Sequence, residues 1–322
     1  MVAVYGKWQP KAMLKTALRS LFASFSVIMA CSAFAAPANI AIVLSDESAP
    51  YQETANSMRA ALDHGDARAA VNLYSLAEKK IDFSRERPDL IVAVGARSVQ
   101  ELAALNLSIP ILATLIPRQA FEKIAGRRDY RQFSAVYLDQ PLARQMELIR
   151  LALPEKSRIG VVVGPESQEN LKALQAAAKE ARFGMAVEKI SAAEELLPAL
   201  QRVLADSDVL LAVPDPLVFN KGTVQSLLLT TYRYQDPVIG FSQAYVKAGA
   251  LVAVYTTPEQ VGKQTGEVLL RVLGGRTLML PLPEYPKYFS VSVNYQVARS
   301  LSLSIGDEAV LYQKLKHMAE SQ

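Results

Sequence analysis

The sequence predicts an α/β protein with two doubly wound parallel-sheet lobes, and three observations carry that reading. Short apolar, β-branched runs recur at 39–44, 89–94, 110–115, 158–163, 208–213, 237–240 and 250–254, and runs apolar on both faces are what buried parallel strands need. Amphipathic stretches lie between them. In 169–182, Leu171, Leu174, Ala178 and Ala181 fall near helical spacing, as do Val261, Leu269, Leu270 and Leu273 in 258–273. Finally, 322 residues suit two domains of about 150 residues each, with a break between the two strand sets near 137–141. A composition 51% apolar and 20% charged, with 15 Gly and 17 Pro, excludes disordered, collagen-like and coiled-coil classes.

Taken in order, the chain opens with what reads as an export segment. Lys7, Lys11, Lys15 and Arg19 occur without an acidic residue, an apolar run covers 21–30, and Ala33-Phe34-Ala35 supplies a small-x-small cleavage site. The apolar run is short for a membrane span and interrupted by serine, so cleavage after Ala35 is expected over a retained anchor. A third possibility is lipid attachment at Cys31, because Ile28-Met29-Ala30-Cys31 loosely matches a lipobox. Cleavage removes four cations and leaves 31 basic against 31 acidic residues. A chain so balanced offers no basic face for nucleic acid or anionic lipid. Trp8 and Cys31 would leave with the segment, and a cysteine-free remainder suits an oxidising compartment.

Ligands of open parallel sheets bind beyond the carboxyl ends of the strands. At those positions the sequence places Ser45, Asp46 and Glu47; Gly95 to Ser98; Thr114; Gly164 to Ser167; Pro214 and Asp215; and Ser242 with Gln243. Ser45, Ser98, Thr114, Ser167, Asp215 and Ser242 are therefore the candidate ligand-binding residues, with Asp215 suited to a ligand ammonium and Tyr51, Phe219 or Tyr245 to an apolar wall. The competing role for each polar residue is to cap a helix.

Catalytic and cofactor signatures are thin. There is no phosphate-binding G-x-x-x-x-G-K loop and no G-x-G-x-x-G after a strand, and with only His64 and His317 a metal site would need carboxylates that are not densely spaced, so no cofactor or metal is implied. Gly240-Phe-Ser-Gln-Ala244 comes near a nucleophile elbow, with Asp307 and His317 following in α/β-hydrolase order, which makes a serine hydrolase using Ser242 a remote alternative.

The second half carries a resemblance. Pro141-Leu-Ala-Arg-Gln-Met-Glu-Leu-Ile-Arg-Leu-Ala-Leu-Pro154 with the run to Val163, the Pro214-Asp215 strand end, Pro237 to Ser242, Gly262-Lys-Gln-Thr-Gly266 through Gly274-Gly275, and Val293 to Ala298 resemble the ABC-type substrate-binding family with the type I periplasmic-binding fold, over most of 85–315. The chain departs from that pattern at Asn56 to Asp63, at Thr114-Leu-Ile-Pro-Arg118 and at Gly164-Pro165.

The resemblance implies two lobes that close on a small molecule in an interlobe cleft and deliver it to an inner-membrane ABC permease. The expected product is a periplasmic monomer without catalytic residues; a sensory or lipoprotein binding module is the alternative. The implied division is a signal at 1–35, a first lobe of 36–137 plus about 256–285, and a second of 138–255 plus about 286–322. The helix at 258–273 is expected to return to the first lobe, and Leu280-Pro-Leu-Pro-Glu-Tyr-Pro286 to cross back as extended chain.

Overall fold

The computed structural model describes residues 1–3, 37–65, 69–77, 81–275 and 277–320, so the proposed export segment with Trp8 and Cys31 lies outside the described residues. Met1–Pro37 is a unit separate from Ala38–Gln322, and the fold that follows is that of the latter.

Five parallel strands form the first sheet: β1 (Ala38–Leu44), β2 (Ala69–Ser75), β3 (Leu90–Val94), β4 (Ile111–Ile116) and β5 (Phe133–Tyr137), in the order β2-β1-β3-β4-β5. Alternate strand residues feed two cores, as the period of two requires. Ile40, Ile42 and Leu44 pack on one face with helix α1 (Ala49–His64), while Ala41 and Val43 pack on the other with Phe83 of α2 (Phe83–Glu86), Val99 of α3 (Ala96–Ala104) and Phe121 of α4 (Arg118–Ala125).

The second sheet begins with α5 (Leu142–Ala152), β6 (Arg158–Val163), α6 (Leu171–Glu180), β7 (Gly184–Lys189), α7 (Leu196–Leu204) and β8 (Val209–Leu211). It continues with α8 (Val224–Arg233), β9 (Val238–Gly240), α9 (Gln243–Ala248), β10 (Val252–Tyr255), α10 (Pro258–Leu273), β11 (Ser290–Val293), α11 (Tyr295–Ser300) and α12 (Glu308–Glu320). Its order is β11-β10-β9-β8-β6-β7, parallel except where β11 pairs antiparallel with β10. Ile159, Val161 and Val163 face α5 and α12; Val162 and Leu210 face α7.

Helix α10 does not pack on this second sheet. It lies along α1 in the first core, with Val261, Val268, Leu269 and Val272 beside Ile42, Met58 and Val92. Gly262 and Gly266 permit the approach: a Cβ on Gly262 would stand 2.3 Å from the Thr54 carbonyl oxygen, and one on Gly266 would stand 2.6 Å from Ala61 Cβ. Thr54 and Ser57 donate their hydroxyls to the carbonyls of Pro258 and Glu259, tying the helices at their N-terminal ends.

The chain passes between the sheets after β5, after β10 and before β11. Past α10 it runs as extended chain along the edge of β5, where Glu284 N–H donates to Ala135 O at 2.8 Å and Tyr137 N–H donates to Glu284 O at 2.9 Å. Prolines at 281, 283 and 286 suit this edge because a one-sided strand can spare some N–H donors. The three passages meet at buried polar side chains: Gln140 donates to Thr256 Oγ1 at 2.6 Å, and Thr256 donates to Tyr288 O at 3.0 Å. Gln264 of α10 donates to Tyr285 O at 3.0 Å and accepts from Lys287 N–H at 2.7 Å, anchoring the returning chain.

Candidate functional site

The segment just past β4 in the first sheet meets the segment just past β6 in the second, and polar side chains bridge the two. Arg118 opens α4 just past β4; its guanidinium donates to Asn170 Oδ1 at 3.0 Å and to Glu122 at 3.2 Å. Asn170 Nδ2 donates to Gln119 Oε1 at 2.9 Å, and Gln119 Nε2 donates to Glu169 Oε2 at 3.1 Å and to the Glu166 carbonyl. Asp139, in the passage after β5, accepts the Arg118 N–H, while burial pushes its carboxyl above the usual range. Leu115 sits between these features at a β4 bulge with φ 53°, a left-handed conformation uncommon for leucine.

On the first edge, Ser45 is buried, donates to Val94 O at 2.9 Å and accepts from Ser98 N–H at 3.0 Å. Ser98 is buried too, and its hydroxyl donates to Gly95 O. Gly95 has φ 93°, and a Cβ there would meet Tyr51 Cε1 at 2.4 Å, so only glycine lets the half-buried Tyr51 ring lie across this turn. Asp46 beside it is held below the usual carboxylate range by hydrogen bonds from Ser48. Thr114 is buried 2.7 Å from Thr265 of α10. Because the Thr265 hydroxyl proton goes to Val261 O at 2.7 Å, Thr114 is the donor between them.

On the second edge, Asp215 is only 3% exposed and its carboxylate is fully engaged. Oδ2 accepts from Ser167 N–H and Oγ, each at 2.8 Å, and Oδ1 accepts from Leu217 N–H at 2.9 Å. Ser167 Oγ in turn accepts from Gly164 N–H, and a Cβ on Gly164 would fall 2.4 Å from Asp215 Oδ1. Ser242 caps α9 by accepting from Tyr245 N–H. Phe219 and Tyr245 are nearly buried and cluster with Phe241 at centroid separations of 4.7 to 6.0 Å. The Tyr245 hydroxyl is buried without a partner, and burial pushes it up to about 12.

The six candidate residues thus lie in the last residues of their strands or shortly after them, Thr114 within β4 and Ser98 in the first turn of α3, and their bonds go to backbone and neighbouring side chains that hold the loops. The bridge through Arg118, Gln119, Glu169 and Asn170 escaped the sequence reading, since nothing local joins positions some fifty residues apart. Arg118 could be singled out only as the residue closing a divergent strand end.

The geometry does not support a hydrolase. Tyr245, three residues past Ser242, belongs to one core of the second sheet, while Leu311 and Leu315 of the His317 helix belong to the core on the opposite face. Among the described residues no group of three His, Cys, Asp or Glu could hold a metal ion, and no helix is long and apolar enough to cross a membrane.

Comparison with known proteins agrees with this architecture. The family model for ABC transporter substrate binding protein matches residues 61–317. A tyrosine-binding protein of Clostridioides difficile (strain R20291) is 25% identical over 218 residues, 63% of this chain and 59% of that protein. The alignment thus spans well under two thirds of that relative. The ligand-free, open structure of a substrate-binding protein with adhesive properties from Clostridium difficile superposes with a TM-score of 0.69 at 20% identity, covering 84% of this chain and 96% of that one. An ABC domain in complex with L-Trp from Streptococcus pneumonia gives 0.59 at 16% identity over 85% and 97% of the two chains. With two α/β lobes, bridged strand ends and a family match over most of its length, the chain belongs to the ABC transporter substrate binding protein family.

Proposed function

We propose that the protein captures a small molecule in the cleft between its lobes, outside the cytoplasmic membrane, and presents it to an ABC permease. An aromatic amino acid is the first ligand to test. The observation that carries this reading is the contrast between the two connections of the lobes. Three chain passages meet at the Gln140, Thr256 and Tyr288 bonds, whereas on the cleft side the side chains of Arg118, Gln119, Glu169 and Asn170, with the Glu166 carbonyl, make the join among the described residues. A hinge opposite an exchangeable polar seam is what a closing cleft requires. In this reading the lobes divide as 36–137 with about 256–285, and 138–255 with about 286–322, after removal of 1–35.

Within the cleft, Tyr51 offers a ring face and Arg118 a guanidinium suited to a ligand carboxylate. Ser45, Ser98, Thr114, Ser167, Asp215 and Ser242 form the floor. Asp215 can receive a ligand ammonium if a bond from Ser167 is exchanged for it. The relatives named for tyrosine and found with L-Trp make aromatic amino acids the natural first choice. The test is calorimetry on the exported protein with tyrosine, tryptophan, phenylalanine, non-aromatic amino acids and neutral sugars. Saturable binding of one class, weakened tenfold or more by Arg118→Ala or Tyr51→Ala, is expected; binding of none of them would reject the aromatic amino acid, and binding indifferent to both variants would reject the site.

A further inference from the structure

Helix α8 ends with a carboxylate where such helix ends usually bury an apolar side chain. Gln235 takes a left-handed φ of 61°, its N–H donates to Tyr232 O at 3.1 Å, and Asp236 N–H reaches back to Thr231 O at 3.0 Å. This is a Schellman ending, and the residue in the position of Asp236 ordinarily packs its side chain against the helix's last turn. Here that residue is charged, 7% exposed, and its Oδ2 has no hydrogen-bond partner. An unpaired buried carboxylate is costly, and one in a native chain calls for a proton, a water, an ion or a ligand group to complete it.

Beside it lies a cavity of about 340 Å³, with Asp236 in its lining. Leu228 and Tyr232 of α8, Val238 of β9, Val297 of α11 and Leu301 just past α11 supply apolar wall. The cavity adjoins the start of β9, whereas Ser242 and the cleft lie past its other end, so the two sites are separate. The charged groups facing Asp236 are Lys156 and Asp208. Asp208 already accepts the N–H groups of Ser157 and Arg158 at 3.0 and 2.9 Å, and no hydrogen bond from Lys156 reaches Asp236 Oδ2.

We propose that this cavity is a second binding site, apart from the cleft, for an organic ammonium ion with an apolar body, of the arylalkylamine class. Its ammonium group pairs with Asp236, and its body lies between Leu228, Val238 and Leu301. The volume sits at the small end of ligand cavities and suits a molecule of roughly ten non-hydrogen atoms. Burial already pushes the Asp236 carboxyl up to about 6, so an ammonium partner both satisfies Oδ2 and favours the ionised form.

The probe is 2-phenylethylamine, with 2-phenylethanol as its neutral counterpart, titrated calorimetrically at pH 7.5 into the mature chain, Asp236→Asn and Leu228→Trp. The amine should bind the unmodified protein saturably at pH 7.5 and more weakly at pH 5, and should bind Asp236→Asn at least tenfold more weakly than the unmodified protein at pH 7.5. Leu228→Trp, which fills the cavity while leaving the carboxylate, should also abolish it. The alcohol should not distinguish Asp236→Asn from the unmodified chain. No saturable binding of the amine, equal binding by Asp236→Asn, full binding by Leu228→Trp, or binding that Arg118→Ala removes would overturn the proposal, the last by placing the amine in the cleft.

Discussion

Two contacts join segments remote in sequence, and they are built from opposite materials. Where α10 meets α1, glycines bring backbone against backbone; where β4's end meets β6's end, flexible polar side chains span the gap. A backbone contact without intervening side chains has no rotamer by which to yield, so it holds one geometry. A seam of part-buried amides and partly exposed ions can trade its bonds for water at little net cost. In the proposed reading, the contact that persists as the cleft opens and closes is made the first way, and the one that opening breaks is made the second way.

The largest effect should come from filling the rigid contact. Gly262→Val places its Cβ against the Thr54 carbonyl, which cannot rotate away, and should cost about 3 kcal/mol or more, with a matching fall in the denaturant midpoint. Gly184→Ala is the control: its Cβ would meet Arg158 Cγ at an ordinary 3.4 Å, and it should change stability by less than about 0.5 kcal/mol. Equal losses in both would show that α10 sits loosely on α1.

Next comes the anchor of the returning chain. Gln264→Ala leaves Lys287 N–H and Tyr285 O without their side-chain partner in a part-buried site, and should cost about 2 kcal/mol by chemical denaturation. Gln264→Glu keeps the acceptor for Lys287 N–H but sets a buried carboxylate against Tyr285 O and the Glu284 carboxylate, so it should cost at least as much. If both variants match the parent, the passage before β11 is held by the β5 edge alone.

These two positions also show how far the sequence could be read. Gly262, Gln264, Thr265 and Gly266 were visible as a family pattern, but their separate tasks, approach to α1, anchoring of 285–287 and bonding to Thr114, appear only when remote segments are set together. The seven strands read from apolar runs all occupy sheet interiors, where both faces are covered. The four that were missed, β2, β5, β7 and β11, are the sheet edges. β2 and β7 carry part-buried or exposed residues that break the run, β11 alternates Ser290 and Ser292 with valine, and β5, though buried, includes Ser134, which donates to Pro281 O at 2.6 Å. The strand-end residues were locatable for the same reason as the interior strands. What each hydroxyl or carboxylate bonds there was not, because capping and ligand binding draw on the same residue types. Asp236, preceding a proline, reads as an ordinary turn residue.

A smaller effect is expected from Asp236, which adds a buried charge to the comparison. With its carboxyl pushed up to about 6 by burial, the folded protein holds between pH 4 and 6 a proton that the unfolded chain releases. Stability should therefore fall as pH rises through that window and level off above it. Allowing for water entering the cavity, the contribution is on the order of 1 kcal/mol. Asp236→Asn should be flatter across pH 4 to 7 and slightly more stable at pH 7, measured by urea unfolding in parallel buffers. A variant with the parental slope would mean that Lys156 neutralises the carboxylate in solution.

The smallest effect on stability should come from the seam itself. Arg118 keeps 26% of its side-chain surface exposed, and its partner Glu122 keeps 44%, a setting in which an ion pair contributes between zero and about 1 kcal/mol. Arg118→Ala and Asn170→Ala should each move the unfolding midpoint by less than about 0.5 kcal/mol, and their double mutant should show a coupling of the same small size. The consequence should appear in shape instead. With Gln140 and Thr256 still holding the hinge, loss of the seam removes a restraint on the cleft side alone, so the double mutant should have a larger radius of gyration by small-angle scattering without ligand. A seam variant that unfolds several kcal/mol more easily would place Arg118 among the fixed contacts with Gly262. An unchanged radius would mean that the hinge bonds, and not the seam, set how far the lobes stand apart.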